Sequence, residues 1–327
     1  NIDQVRLAEP GEFTKRAFYN KKLNLEQVEG LVDVINAETT IQLDHANKLL
    51  TGALGQLTEN IRESLISVLS KIEAIIEFED EDIDLTSIEN LNIEADNINK
   101  ILNDLLVSYQ NSEIIRDGFR ISIVGDVNVG KSSIINRLTT SNSSIVTNVP
   151  GTTRDIVEVK VKLFGYPVVL RDTAGVRDTN DIVESLGINK TIDTIKDSDL
   201  IIRVFDITNK GIPNNQFENL LNHKLVINVY NKSDLVKNLD DQNLLYLSSL
   251  TNFGFDKLLN KIRYYLDNKF IETHKNLPLL ARKRHYEIFY EISELLLRFK
   301  LQNELELKAE DLKIGIGLLG KITGRVD

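Results

Sequence analysis

The sequence contains neither cysteine nor methionine among its 327 residues. Without a thiol there is no disulfide, no thiolate metal centre and no cysteine nucleophile. The missing methionine and the first residue, Asn1, are read as signs of a piece of a longer chain. Omitted modified residues in such a piece would leave gaps in its numbering. No run approaches about 18 apolar residues and no secretory leader is visible, so the expectation is a cytoplasmic protein without a membrane span. Positive charge is in deficit: 39 Lys and Arg against 49 Asp and Glu leave a net charge of −10, with a pI near 5.1. That excludes a uniformly basic nucleic-acid coat while leaving room for a local basic patch. Proline is scarce, and Pro10 alone precedes the glycine at 118. The length suits about two domains, each able to bury its own core.

What is present divides into two grammars. Residues 1–20 carry a Pro10–Gly11 turn and no sustained periodicity. From Leu23 to about Gln110 apolar residues recur at helical steps. Leu57, Ile61, Leu65, Val68, Leu69 and Ile72 fall on one face, which predicts long packed helices. The acidic run Glu77–Asp84 interrupts this pattern. It is read as a solvated connection with capping carboxylates, a cation site being the alternative. At Gly118 short apolar runs begin: Ile121–Val124, Val157–Leu163, Val168–Leu170, Leu200–Phe205, Leu225–Tyr230 and Leu244–Leu247. Their alternation with helical stretches such as Ser133–Thr139 predicts a mostly parallel sheet covered on both faces. From Lys269 onward the helical period returns, with Ile288, Ile292, Leu295, Leu296 and Phe299 on one stripe.

The α/β segment carries motifs with a definite chemistry. Gly125-Asp-Val-Asn-Val-Gly130-Lys131-Ser132 fits G-x-x-x-x-G-K-[ST] between a strand and a helix. Its glycines let main-chain N–H groups turn toward phosphates at a helix N-terminus. Lys131 would neutralise the β and γ phosphates, and Ser132 would ligate Mg²⁺. Asp172-Thr173-Ala174-Gly175 follows a later strand. An aspartate there can reach Mg²⁺ through water, and the Gly175 N–H can meet the γ-phosphate. Asn231-Lys232-Ser233-Asp234 also ends a strand. Its carboxylate can accept from guanine N1–H and the 2-amino group, a donor pair adenine lacks, which selects GTP. Ser248-Ser249-Leu250 is the place for main-chain contacts to the base.

In this order the motifs resemble a translation-factor-type GTPase module. Thr147-Asn148-Val149-Pro150-Gly151-Thr152-Thr153-Arg-Asp155 stands where such a module has a switch loop. One of its threonines, best assigned as Thr153, would be a second protein ligand of Mg²⁺. The glutamine that orients water in Ras-like enzymes is replaced by Val176, so the attacking water must be held by another group.

With these residues in view, the chain resembles the MnmE (TrmE) family of tRNA-modification GTPases along nearly its whole length. Pro10-Gly-Glu-Phe-Thr-Lys-Arg-Ala-Phe18 and Asn20-Lys-Lys-Leu-Asn-Leu25 match the family's upstream signatures. Leu280-Ala-Arg-Lys-Arg-His285 and Leu319-Gly-Lys-Ile-Thr-Gly324 match its downstream ones. The resemblance implies an α/β P-loop GTPase domain, Ras-like with a mostly parallel sheet, inserted into an all-α helical bundle domain. It places the G domain at 117–269, the discontinuous helical domain at 21–116 and 270–327, and at 1–20 the remnant of an N-terminal folate-binding domain. It further implies a K⁺-activated GTP hydrolase whose G domains dimerise. Asn128, Thr147, Val149 and Thr152 would hold K⁺, and Glu184 would hold the water. The GTP contacts would then comprise Asn128, Val129, Gly130, Lys131, Ser132 and Ser133, residues 147–153 and 172–175, and the two base motifs. Lys131, Thr153, Gly175 and Glu184 would serve catalysis. Arg177 is read either as a cross-dimer contact or as a surface arginine.

Family members work as a homodimer with the flavoprotein MnmG, in a heterotetramer, on carbon 5 of the wobble uridine in certain tRNAs. The one-carbon unit comes from 5-formyl- or methylene-tetrahydrofolate in the full-length protein, and Lys22 is the folate contact to expect here. The chain stops at Asp327, short of the family's Cys-Ile-Gly-Lys tail. An alternative reading is a regulatory or ribosome-assembly GTPase switch, and another is a GTP binder that does not hydrolyse.

Overall fold

The computed structural model describes residues 6–77, 85–140, 147–148, 157–172, 191–209, 218–236, 239, 241, 243–275 and 279–324. The chain divides into two compact units, one of residues 1–113 with 277–327 and the other of residues 114–276.

The first unit is helical: α1 (Glu12–Tyr19), α2 (Leu25–Asn36), α3 (Thr40–Leu50), α4 (Ala53–Glu77), most of α5 (Leu85–Asp117) and two late helices described below. Local sequence sets the helix starts. The Asn24 N–H donates to Gln27 Oε1 at 2.9 Å before α2. Before α3, Thr39 and Gln42 bond reciprocally, side chain to backbone, in a capping box. The aperiodic opening residues form α1 after all, entered through Gly11 at φ 78. Gly30 lets α2 pass close to the end of α3, since a Cβ there would lie 2.6 Å from the Leu50 nitrogen. The stripe read from the sequence is the one buried: Ile61, Leu65, Val68 and Ile72 lie in the core, with Leu57 and Leu69 packed against it.

The two late helices bury the stripe that the sequence predicts for them as well. They are α9 (Lys283–Leu301) and α10 (Leu305–Thr323). Ile292, Leu296 and Phe299 of α9 join Leu312, Leu319 and Ile322 of α10 in the same core. Arg284 locks three elements together. It donates twice to Glu29 of α2 at 2.9 Å, and to the Lys321 and Ile322 carbonyls at the end of α10. Burial pushes the Glu29 carboxyl up, but bonds from His285 and Arg284 outweigh it and hold the pKa at about 2.

The second unit is built on a seven-stranded sheet in the order β2-β3-β4-β1-β5-β6-β7. The strands are β1 (Phe119–Val124), β2 (Thr147–Asn148), β3 (Val157–Leu163), β4 (Tyr166–Asp172), β5 (Leu200–Asp206), β6 (Leu225–Asn231) and β7 (Leu245–Tyr246). Strands β4, β1, β5, β6 and β7 run parallel, while β2 and β3 pair antiparallel. Helices α6 (Lys131–Thr140), α7 (Glu218–Leu221) and α8 (Phe255–Lys275) belong to this unit, as does a helical stretch at 191–196. Ile121 and Ile123 of central β1 are fully buried, and so are Leu200, Ile201 and Ile202 of β5. Such continuous apolar runs are what a parallel sheet covered on both faces requires. The β3–β4 hairpin turns through Phe164 at φ 53 and Gly165 at φ 91, a two-residue turn with both residues left-handed. Phe-Gly is an unusual occupant of such a turn, so the sequence marks two strands there but not their pairing.

Candidate functional site

Four parallel strands deliver the motif residues to one edge of the sheet. After β1 come Gly125 to Lys131, β4 ends on Asp172, β6 ends on Asn231, and β7 leads into Ser248. The carboxyl edge of an open parallel sheet is where ligands bind in such folds.

The phosphate loop turns through Asn128 at φ 62 and Gly130 at φ 100. Asparagine tolerates the left-handed region, whereas φ near 100° is open to glycine alone. Two close approaches fix the loop. A Cβ on Gly125 would lie 2.3 Å from the Val204 carbonyl oxygen of β5, and one on Gly130 would lie 2.2 Å from Asn231 Nδ2. Lys131 opens α6 and is 6% exposed. Its ammonium donates to the Gly125 and Asp126 carbonyls, both at 2.7 Å. Burial pulls the Lys131 pKa down, with Asp172 and Asp126 acting against it. A buried ammonium held by main-chain carbonyls, with a third donor to place, is well suited to a phosphate.

Beside it the Ser132 hydroxyl donates to Asp172 Oδ2 at 2.8 Å. Asp172 is buried. A hydroxyl and a carboxylate oxygen in contact form the hard donor set that Mg²⁺ takes together with water and phosphate oxygens, so the residues fit that ion. Ser133 is exposed in the first turn of α6, where main-chain N–H groups are open to an anion.

The base motif is tied to this loop by direct bonds. Asn231, 1% exposed, donates to the Val129 carbonyl at 2.7 Å and to Ser249 Oγ at 3.3 Å, and accepts from the Ser249 N–H at 3.1 Å. Lys232 adopts φ 64, and the Ser233 N–H then donates to the Leu247 carbonyl. Asp234 is exposed, and its Oδ1 accepts from the buried Ser248 hydroxyl at 2.5 Å. Ser248 thus occupies one carboxylate oxygen of a side chain that is open to solvent. Leu250 is 77% exposed.

Lys131, Ser132, Asp172, Asn231, Asp234, Ser248 and Ser249 are therefore brought together at one strand edge. Thr147 and Asn148 form β2, paired with Lys160 and Val159. Lys22 lies elsewhere, exposed in the helical unit, its N–H bonded to the Ala17 carbonyl. Val149, Pro150, Gly151, Thr152, Thr153, Thr173, Ala174, Gly175, Val176, Arg177 and Glu184 lie outside the described residues, as does the acidic run at 78–84. Among the described residues no cluster of three metal-ligating side chains occurs, and no helix is long and apolar enough to cross a membrane. Sequence reasoning passed over Asp206, which ends β5 and pairs with Lys232 at 2.6 Å. Its signal was a lone aspartate closing a parallel strand beside a motif strand.

Comparison with known proteins agrees with the motifs. Residues 25–327 match the MnmE helical domain family. The chain is 38% identical over 331 residues to the tRNA modification GTPase MnmE of Orientia tsutsugamushi (strain Boryong), covering 99% of this chain and 74% of that protein. It is 36% identical over 337 residues to the protein of the same name from Rickettsia bellii (strain OSU 85-389), covering all of this chain and 75% of that one. Among solved structures, the G domain of the T. maritima FeoB iron transporter is 27% identical, with 45% of this chain and 98% of that chain covered and a TM-score of 0.35. The chain belongs to the MnmE family of tRNA modification GTPases.

Proposed function

We propose that this chain binds GTP across the carboxyl edge of its sheet and hydrolyses it with K⁺ and Mg²⁺, within a complex that modifies carbon 5 of a tRNA wobble uridine. The observation that carries the nucleotide site is the bonding of Asn231 to Val129 and Ser249, which ties the phosphate loop directly to the base motif. In this reading Lys131 neutralises the β and γ phosphates, and Ser132 and Thr153 hold Mg²⁺ with Asp172 acting through water. Gly175 meets the γ-phosphate, and Asp234 reads guanine with Ser248, Ser249 and Leu250 around the base. Asn128, exposed and left-handed in the loop, holds K⁺ with Thr147, Val149 and Thr152. An ion held by these residues would supply positive charge to offset the negative charge that develops during hydrolysis. Val176 has no acid–base chemistry, so Glu184 is assigned the attacking water.

In the same reading the chain works as a homodimer with the flavoprotein MnmG on tRNA in the cytoplasm. A tetrahydrofolate, 5-formyl or methylene, serves as one-carbon donor, and Lys22 is offered as an exposed cation for its carboxylates. The domain boundaries proposed are 1–20 for the folate-domain remnant, 21–116 with 270–327 for the helical domain, and 117–269 for the G domain.

GTP turnover in matched KCl and NaCl buffers across protein concentration tests this reading. Stimulation by K⁺ that grows with concentration, lost in Asn128→Ala and lowered roughly 10²-fold in Glu184→Ala with GTP still bound, is the expected result. Equal rates in both salts would remove the K⁺ site and favour a regulatory or ribosome-assembly GTPase switch.

A further inference from the structure

The end of β5 holds a carboxylate to which the proposed chemistry gives no role. Asp206 is the last residue of that strand and stands in register with Asn231 of β6. The ladder runs one step further, because the Ile207 N–H donates to the Asn231 carbonyl at 3.1 Å. The two carboxylate oxygens are divided between two partners. Oδ1 accepts from the Thr208 N–H at 2.9 Å and from its hydroxyl at 2.7 Å. Oδ2 accepts from Lys232 Nζ at 2.6 Å. The side chains are 16% and 33% exposed respectively, so the pair is partly withdrawn from water.

Lys232 sits between the two residues that matter most in the base motif, and it does so at φ 64. A lysine has no conformational reason to adopt the left-handed region, so the surroundings must hold it there. That turn lets Asn231 point inward to Val129 and Ser249 while Asp234, three residues on, meets Ser248. The geometry points to Asp206 as a positioning residue for guanine recognition: by anchoring the Lys232 ammonium it fixes the turn that aims Asn231 at the phosphate loop and Asp234 at the base.

This inference rests on the guanine-site reading and adds to it a group outside the motifs. The anchor acts as a charge. Burial raises the Asp206 pKa, yet the bonds from Lys232 and Thr208 outweigh burial and leave it lowered, so the carboxylate is ionised at neutral pH. Bonds between ionised partners are roughly twice as strong as neutral ones. Strand order supplies the remaining reason. β5 lies between β1 and β6, so its end is the floor beneath both the phosphate loop and the base motif.

The test is Asp206→Asn in the whole chain, which keeps the shape and the acceptor for Thr208 but removes the charge. Stopped-flow release of a fluorescent GDP analogue, with KM and kcat for GTP, gives the readout. Release is expected to quicken about tenfold, and KM to rise in step, while kcat stays within about twofold. The preference for GDP over IDP, which lacks the 2-amino group, should narrow as Asp234 loses its aim. In a Lys232→Met background the same substitution should change release by less than about twofold, because the partner is already gone. If Asp206→Asn does not fold, Thr208→Val loosens the same carboxylate and should quicken release about threefold, again only while Lys232 is present. Unchanged release, or an equal effect in both backgrounds, would reduce Asp206 to a fold-supporting residue. Failure of the unsubstituted chain to bind the GDP analogue would instead overturn the guanine site itself.

Discussion

Replacing Gly130 by alanine is the sharpest probe of the seam between the phosphate loop and the base motif. The residue sits at φ 100, where an L side chain is strained by about 1–3 kcal/mol. The new Cβ would also fall 2.2 Å from Asn231 Nδ2, far inside van der Waals contact. Asn231 cannot swing away freely, since that nitrogen donates to the Val129 carbonyl at 2.7 Å and the residue is 1% exposed. Moving it strands a buried carbonyl, at about 1–3 kcal/mol. The expected loss is therefore about 2–6 kcal/mol for Gly130→Ala.

Asn231→Ala alone loses the bonds to Val129 and Ser249 and should cost about 2–4 kcal/mol. In the double variant the clash has vanished, and only the backbone strain of the alanine remains. The two losses should then fall short of additivity by about 1–3 kcal/mol. Hydrogen–deuterium exchange of peptides covering 119–131 and 225–235, followed by mass spectrometry, reads the local opening free energy of each variant without requiring the whole chain to unfold as one. Additivity within about 0.5 kcal/mol, or a neutral Gly130→Ala, would refute the contact.

Asp234→Asn keeps an acceptor for Ser248 but presents an amide to the base. GTP affinity should fall about 10²-fold or more while xanthine nucleotides gain, and unchanged GTP affinity in a competition titration would remove Asp234 from base recognition. Glu29 gives the helical unit an acid dependence. Its folded pKa of about 2 lies below the ordinary glutamate value of 4.5, so its contribution is fully present above pH 4.5 and disappears as pH falls toward 2. At 1.36 kcal/mol per unit this contribution is at most of order 3 kcal/mol. Glu29→Gln should lower the melting temperature at neutral pH and flatten the acid limb of a melting-temperature profile, and an unaltered limb would show that Arg284 gains nothing from the carboxylate.

Much of this architecture was legible because it depends on periods and on glycine. The helical stripe through Ile61, Leu65, Val68 and Ile72 and the apolar runs of β1, β5 and β6 follow from burial alone. The placement of residues 125–132 between a strand and a helix follows from the motif. Less could be read where local signals were poor. Helix α1 has no buried residue and enters through an unassisted Gly11, so nothing periodic announced it. The β3–β4 turn carries Phe164 in a left-handed conformation, which no turn rule anticipates.

Asp206 shows a deeper limit. Its importance comes from strand order, since the neighbours of a strand's last residue are set by which loops lie on either side. β5 is threaded between β1 and β6 although it follows β4 in the chain. The loops after β1 and β6, about a hundred residues apart in sequence, therefore close over the end of β5. Clearance there is small: Gly125 meets Val204, Gly130 meets Asn231, and Asp206 meets Lys232. A motif search finds the outer two participants because their residue types are demanded by a nucleotide. The middle one is demanded only by the other two, so it becomes visible once the sheet is assembled. An inserted residue that bulges the end of β5 should for that reason loosen both motifs together, although it touches neither.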